Sequence, residues 1–507
     1  MPATDQIKGL FPDGKAHVFD GKEFVLLPHT ETEVFLLRKL GYDAASPVIT
    51  QYSWPAPAHK PAFDVQKKTT ALLTMNERAY VLNGMGTGKT KCPLWAWDYL
   101  RSQKRIGKMI VFAPLSTLKF TWEREAFETL PGVKVGILHG SKAQRLKVLA
   151  DPDVEIFVIN HDGHKVILDE LLKRSDINCL VIDELAVYRN KSERTKAMIT
   201  YAGKMKWVWG MSGSPMPHSP TDVFHQAKIV TPHSVPKYFK QFRDDLLYKI
   251  DNFKYLPRPD AVDKAFDVMQ PAVRFTIDEV QELPECIERT IDCPMGPKQA
   301  KVYKEIVNHC QSAIAGGTVT AANAGAAMNK LLQISSGWVY DKDGKTHALD
   351  NDSRVQALMD GIASTNRKVL VFAPFKHALA GISAALTANG HEHATVSGDT
   401  PMKERNTIFN LFQNSSKYQV LNAHPQCLAH GITLTAADVI IWFGPTLSLE
   451  IFDQANHRIK RVGQKHKQQI LCLQGSPVEK KIYRLLRNAQ DVQTSFLTMF
   501  EGTNEDW

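Results

Sequence analysis

No stretch of this chain approaches the roughly 20 uninterrupted apolar residues that a membrane-spanning helix needs, so no membrane partner is expected. The first residues, MPATDQIKGLFPDGK, lack a basic segment followed by an apolar one, and so do not read as a secretory signal. Cysteine is scarce: Cys92, Cys179, Cys286, Cys293, Cys310, Cys427 and Cys472 are scattered, odd in number and form no CxxC. That excludes a disulfide-stapled scaffold and fits a reducing compartment. Cys286, Cys293, His309 and Cys310 are near one another in sequence, but their spacing matches no zinc knuckle. Compositional bias is absent too, since 43% of residues are hydrophobic and 23% charged, which excludes disorder and collagen. Charge is only moderately one-sided, at 62 Lys+Arg against 53 Asp+Glu, a net +9. Such a balance suits a polyanion partner without demanding one.

What is present is length and rhythm. The chain has 507 residues, enough for about three domain-sized units. Residues 1–60 carry short alternating runs (AHVF, EFVLL), a helical pattern in TETEVFLLRKLG and a Pro-rich linker, YSWPAPAHKPAF. They read as a small N-terminal accessory module. From 61 to 235 apolar strands alternate with amphipathic helices: AYVLN, KMIVFAP, VKVGIL, VEIFVIN, CLVID and WVWGMS are the strand candidates. Continuous apolar runs separated by helices are the mark of a parallel sheet covered on both faces. Residues 236–350 read as a mostly helical protrusion and linker. The alternation returns over 351–485 in KVLVFAP, HEHATVS, YQVLNA, DVIIWFGP and QILCLQG, and 486–507 read as a C-terminal helix and tail. The expected class is therefore α/β, with two parallel-sheet lobes and a helical segment between them.

The strongest local signal is AYVLNGMGTGKTKCPLWAWDYL, a strand, a Gly-rich turn and a helix start. Gly84, Met85, Gly86, Thr87 and Gly88 would wrap backbone N–H groups around phosphate oxygens, helped by the helix N-terminus. Lys89 would reach the β and γ phosphates of ATP, and Thr90 would hold Mg²⁺. The first glycine of the strict motif is replaced by Asn83. CLVIDELAV then supplies Asp183 as a Mg²⁺ carboxylate and Glu184 to orient or activate the attacking water. GMSGSPMP offers a hydroxyl-rich turn at Ser212, Gly213 and Ser214 that would couple the phosphate site to a nucleic-acid surface. In DQANHRIKRVGQKHK, Arg458 and Arg461 are three apart, on one face of an expected helix that also carries Gln454. A guanidinium pair from a second domain suits the charge that develops on a γ-phosphate.

In this order the motifs resemble superfamily 2 helicase-like ATPases, most of all the Swi/Snf family. QAxxRxxRxGQ is matched by Gln454, Ala455, Arg458, Arg461, Gly463 and Gln464, and NGMGTGKT is similar to DEMGLGKT. Pro114, Leu115, Ser116 and Trp122 match a further motif, and SGSP stands where the family has TGTP. HGITLTAAD resembles GxNLTxAD through Gly431, Leu434, Thr435, Ala437 and Asp438. The likeness runs over about residues 61–485.

The resemblance implies two RecA-like lobes with ATP in the cleft between them. It implies that Gln66 reads adenine, and that Ser212, Gly213, Ser214, Gly431, Thr433 and Thr435 contact DNA or couple it to ATP. It implies a DNA-stimulated ATPase that translocates on double-stranded DNA, possibly forked or branched, in remodelling, replication or repair. Two departures bear on coupling: Ala186 replaces the usual His, and Thr433 stands where Asn is usual. The rival readings are a strand-separating DNA or RNA helicase on the same core and an ATP-gated nucleic-acid clamp. The absence of appended domains suggests a compact prokaryotic or phage-type member with a monomeric core, working in the bacterial or host cytoplasm.

Overall fold

In the computed structural model the described residues are 1–58, 60–250, 255–280, 284–315, 321–340, 346–428, 433–461 and 463–488. They build an N-terminal module and two α/β lobes.

The module is a hairpin, β1 (Lys15–Phe19) and β2 (Lys22–Leu26), with helices Asp5–Leu10 and Glu31–Lys39 around it. Asp20 and Gly21 both have positive φ (50° and 71°), as a two-residue Asp-Gly hairpin turn requires. Its core is small, centred on Ile7, Val25 and Leu37. The Pro-rich segment is not a loose linker. The Tyr52 hydroxyl donates to Asp98 (2.7 Å), the Trp95 indole donates to the Pro55 carbonyl (2.8 Å), and Trp54 packs edge-on against Trp95.

The first lobe is built on β3 (Arg78–Val81), β4 (Lys108–Ala113), β5 (Val135–Leu138), β6 (Ile156–Asn160), β7 (Ile177–Ile182) and β8 (Trp207–Met211). Side chains alternate between its two faces. Ile110, Phe112, Leu180, Ile182 and Val208 pack on one side, and Met109, Val111, Cys179, Val181, Trp207 and Trp209 on the other. Both sides are covered by helices, so these strands read as unbroken apolar runs. Each such side chain buried contributes about 1.5–3 kcal/mol to folding. A small hairpin, β9 (Leu247–Lys249) and β10 (Tyr255–Pro257), projects beyond the sheet. Next comes β11 (Ala272–Val273), which pairs in parallel with β3. The lobe's strand order is β11-β3-β8-β7-β4-β6-β5, all parallel.

The second lobe begins earlier than the sequence suggested. Its edge strand is β12 (Cys286–Asp292), well inside the stretch 236–350 that read as one helical linker. A hairpin of β13 (Trp338–Tyr340) and β14 (Thr346–Ala348) follows. The rest are β15 (Lys368–Phe372), β16 (His393–Val396), β17 (Val420–Ala423), β18 (Ala437–Trp442) and β19 (Gln468–Gln474). The order is β12-β19-β18-β15-β17-β16, again all parallel. Helices Pro297–Ala315 and Ala321–Ser335 pack on this lobe through Tyr303, Val307, Met328 and Leu331. The segment 236–350 is thus divided between two sheets. Its strands escape a hydrophobicity reading for physical reasons. β11 has only two residues, and β12 is an edge strand whose CIERTID sequence is half exposed.

A buried ion pair ties the second lobe together. Arg354 donates to Glu479 (2.6 Å) and to the Phe443 carbonyl, with the Arg354 and Glu479 side chains only 2% and 1% exposed. Glu479 also accepts from the Gly475 and Ser476 amides, so its charge is fully hydrogen-bonded. The tail expected over 486–507 starts at the end of helix Pro477–Arg487, and from residue 489 it lies outside the described residues.

Candidate active site between the two lobes

β3 ends at Val81, and the chain passes through Leu82 and Asn83 into the Gly-rich turn before helix Lys91–Ser102. Gly86 and Gly88 have φ of 80° and 73°, a region closed to most side chains. A Cβ on Gly88 would also lie 2.3 Å from Gln66 Nε2, so glycine is required there twice over. The Gly84 amide donates to the Phe275 carbonyl (2.8 Å) and the Thr87 hydroxyl to the Gly84 carbonyl (3.0 Å).

Asn83 is a bracket for this loop. It is 1% exposed, donates from Nδ2 to Thr69 (2.8 Å) and accepts the Phe275 amide on Oδ1 (3.0 Å). Its carbonyl accepts from Lys89 Nζ (3.0 Å). The departure from the strict motif therefore gains a polar anchor to the stretch after β11. Residues 275–277 were missed as site neighbours because that stretch read as linker.

Gln66 is buried beside the same loop. Its Nε2 donates to the Thr87 carbonyl (3.1 Å), while Oε1 accepts the Phe63 amide (3.0 Å). Both ends of its carboxamide are engaged by the protein, so here Gln66 braces the loop.

Asp183 and Glu184 follow β7 directly. The Asp183 amide donates to the Phe112 carbonyl (2.8 Å), and Oδ2 accepts the Trp122 indole N–H (3.0 Å). Trp122 sits on a wide π-type turn, Leu118–Glu123, a geometry frequent at functional sites. The Asp183 carboxyl opens to the cleft but is crowded by protein on its other sides. Burial, and after it the Glu184 charge, push it up to about 6, while Lys89 and the Trp122 N–H pull it back. Glu184 has φ 55° and ψ 55°, a left-handed conformation that costs a non-glycine residue of order 1–3 kcal/mol.

Ser212 is only 1% exposed, and its Oγ accepts the Ser214 amide (3.3 Å). A Cβ on Gly213 would lie 3.3 Å from Lys89 Nζ. This turn therefore abuts the phosphate loop, where it can couple; Ser212 is too deep for a DNA backbone to touch.

From the second lobe, the helix that carries Gln454 runs Leu449–Asn456 and stops. Arg458 and Arg461 are not on it, contrary to the expected helical face; they lie on the turn that follows. Tertiary anchors override the helical spacing. The Arg458 carbonyl accepts the Leu434 amide (3.2 Å), Ile459 is fully buried, and Asn456 accepts the Trp442 indole N–H (2.8 Å). Arg458 is 3% exposed and donates from Nε to the Gln454 carbonyl (2.9 Å). Burial and the neighbouring Arg461 push it down, and Glu184 of the first lobe pulls it back up. Arg461 Nη1 donates to the Thr433 hydroxyl (2.9 Å), and its Cγ is 3.4 Å from where a Gly86 Cβ would be. Burial lowers Arg461 to about 10, and Glu125 of the first lobe opposes that. The two guanidinium groups thus face the acidic motif and the phosphate loop across the cleft.

Thr433 and Thr435, read from sequence as DNA contacts, belong to this arginine turn. Thr433 holds Arg461. The Thr435 hydroxyl accepts from Gln413 Nε2 (3.3 Å) and its carbonyl from Gln464 Nε2 (3.4 Å). Gln464 is a clamp, donating also to Ala437 (2.9 Å) and accepting the amides of Lys465 and His466. Gly431 lies outside the described residues. The tryptophans Trp95, Trp97, Trp207 and Trp209 are at most 1% exposed, which makes them core. Among the described residues no cluster of three or more His, Cys, Asp or Glu suits a metal ion. A Mg²⁺ held by one carboxylate, one hydroxyl and ATP oxygens would not need one.

The SNF2-related domain model matches residues 72–338, and the helicase conserved C-terminal domain model matches residues 353–465. A putative protein p41 of Acyrthosiphon pisum secondary endosymbiont phage 1 is 26% identical over 408 residues, covering 76% of this chain and 85% of its own length. An uncharacterized ATP-dependent helicase of Mycoplasma genitalium is 24% identical over 431 residues, 83% of this chain but 40% of that protein. The chain thus spans less than half of this larger relative. The SWI2/SNF2 ATPase core of Sulfolobus solfataricus in complex with dsDNA is 22% identical, with a TM-score of 0.41 over 89% of this chain and 97% of that one. With more than half of its length matched by one family model, this chain belongs to the SNF2-related family of helicase-like ATPases.

Proposed function

We propose that this protein is a DNA-stimulated ATPase that translocates on double-stranded DNA by opening and closing its two lobes. One observation carries the reading. Arg461, on the second lobe, packs against Gly86 of the phosphate loop, and Arg458 lies within electrostatic reach of Glu184. A site completed by both lobes links each hydrolysis cycle to a relative motion of the lobes.

The roles follow from chemistry. Lys89 and the amides of residues 84–88 bind the phosphates. Glu184 takes the proton of the attacking water, and its nearness to Arg458 keeps it ionised. Arg458 and Arg461 meet the charge that develops on the γ-phosphate. Thr90 and Asp183 would hold Mg²⁺, which supplies further neutralisation of the phosphates. Asp183 fits that task, since a buried carboxyl pushed up to about 6 is stabilised by a cation. DNA is held through its phosphates, as the net charge of +9 favours, with little sequence preference. The family membership and the phage relative support work on cytoplasmic DNA, and a monomeric core is part of the same reading.

ATP turnover measured over single strand, duplex, fork and four-way junction tests the proposal. Duplex-containing DNA should stimulate it and Glu184→Gln should stop it while ATP still binds. Equal turnover with and without every DNA would overturn it. A strand-displacement assay separates translocation from strand separation, which is expected to be absent.

A further inference from the structure

The acidic motif and the SGSP turn need a connection to the arginine turn, and position 186, between Glu184 and the residues that follow, is an alanine with no polar side chain. A different set of groups occupies this part of the cleft. Glu450 lies in the first turn of helix Leu449–Asn456, where the Ser448 hydroxyl caps the Ile451 amide (3.3 Å). Its Oε1 accepts from Gln454 Nε2 (3.1 Å), and the Gln454 carbonyl accepts from Arg458 Nε (2.9 Å). Glu450, Gln454 and Arg458 are spaced by four, so they form one hydrogen-bonded stripe that continues off the helix end.

Both ends of this stripe face the first lobe. The Glu450 carboxyl is half-buried against it; burial and then Glu184 push it up, while Arg189 and His218 pull it down. Arg458, at the other end, is within reach of Glu184 as well. Arg189 is held by the acidic turn, donating from Nη1 to the Ala186 carbonyl (3.2 Å) and accepting on its own carbonyl from the His225 ring (2.9 Å). His218 is fixed after the SGSP turn, where its amide donates to Asp222 (2.9 Å). Three groups of the first lobe, from two different motifs, thus converge on one carboxylate of the second.

We infer that Glu450 is a positioning residue that docks the arginine-bearing segment onto Arg189 and His218, and so sets where Arg458 stands relative to Glu184. The inference rests on the ATPase reading above. Without the Glu450 charge, Arg189 and His218 lose their partner across the cleft, and the stripe is anchored at one end only. The P-loop is untouched, so the effect falls on turnover and lobe closure and not on ATP affinity.

The experiment uses the full chain with Glu450→Gln, an isosteric change that still accepts from Gln454, together with Arg189→Met and the double variant. In Glu450→Gln, kcat at saturating ATP and duplex DNA should fall about 10- to 100-fold, the cost of a misplaced catalytic group. KM for ATP should stay within about twofold, because uniform binding is unchanged. The double variant should lose little more than either single one, the mark of a shared interaction. Energy transfer between dyes on Lys104→Cys and Asn389→Cys, both exposed and on opposite lobes, should drop in the nucleotide-free Glu450→Gln protein. A near-normal kcat, additive losses or unchanged energy transfer would each overturn the inference. If Glu450→Gln is normal while Lys89→Ala is dead, docking by Glu450 fails and the ATPase reading stands. If the unsubstituted chain turns over no ATP on any DNA, both fail.

Discussion

The phosphate loop and the arginine turn meet in one cleft, yet they are held by different kinds of structure. The loop is almost wholly local. Its glycines take left-handed φ, its lysine returns to the carbonyl of Asn83, and the flanking strand and helix are adjacent in sequence. The arginine turn is held from a distance. Leu434, Thr433, Gln464 and Trp442 fix its backbone and side chains. A local device announces itself in sequence, whereas a device held by tertiary contacts shows only its chemistry, not its shape.

The same contrast explains what could be read in advance. Lys89, Asp183 and Glu184 stand where strand, turn and helix signals placed them. The arginines were identified by type and spacing, but their helix was extended too far, because Ile459 is drawn into the core and the chain must turn. Thr433 looked like a DNA contact because its motif is loop-like; its role as the acceptor for Arg461 needs the fold. Trp122 did carry a signal, as a matched motif residue, although its indole bond to Asp183 did not. The second lobe's first strand was missed because an edge strand alternates and is half exposed.

Changes to the local device should be the most severe. Gly88→Ala places a Cβ against Gln66 and forces an unfavourable φ, so ATP affinity should fall at least 100-fold, from about 3 kcal/mol of combined strain and lost contacts. A nucleotide titration checks this, and near-normal affinity would show that the loop is softer than its geometry.

Next in size is the anchor of the second lobe. Arg354→Ala leaves Glu479 buried without its partner and should destabilise that lobe by about 3–5 kcal/mol. Denaturant unfolding should then show the second lobe melting earlier while ADP still binds the first. A single shifted transition would mean that the lobes do not unfold separately.

Thr433→Val removes the hydroxyl that holds Arg461, worth about 1 kcal/mol, and kcat should fall roughly fivefold. Thr433→Ser should restore it. Equal rates for both variants would detach Thr433 from the arginine.

The smallest effect concerns pH. Asp183 binds its proton more tightly in the folded chain than in the unfolded one, where the carboxyl sits near the usual 3.8. Its share of folding stability is therefore lost as pH rises from about 4 to about 6. Melting temperature against pH for the nucleotide-free protein should flatten over that window in Asp183→Asn, and an unchanged slope would place the dependence elsewhere.

The claim that two lobes complete one ATP site is tested most directly by kcat of Arg461→Ala at saturating ATP and duplex DNA. The expected loss is on the order of 10³-fold or more, with ADP affinity retained and DNA still bound but no longer stimulating turnover. Arg461→Lys should rescue poorly, for want of the planar fork. A near-normal kcat, with only weaker DNA binding, would contradict the two-lobe site and leave Arg461 as part of a basic surface.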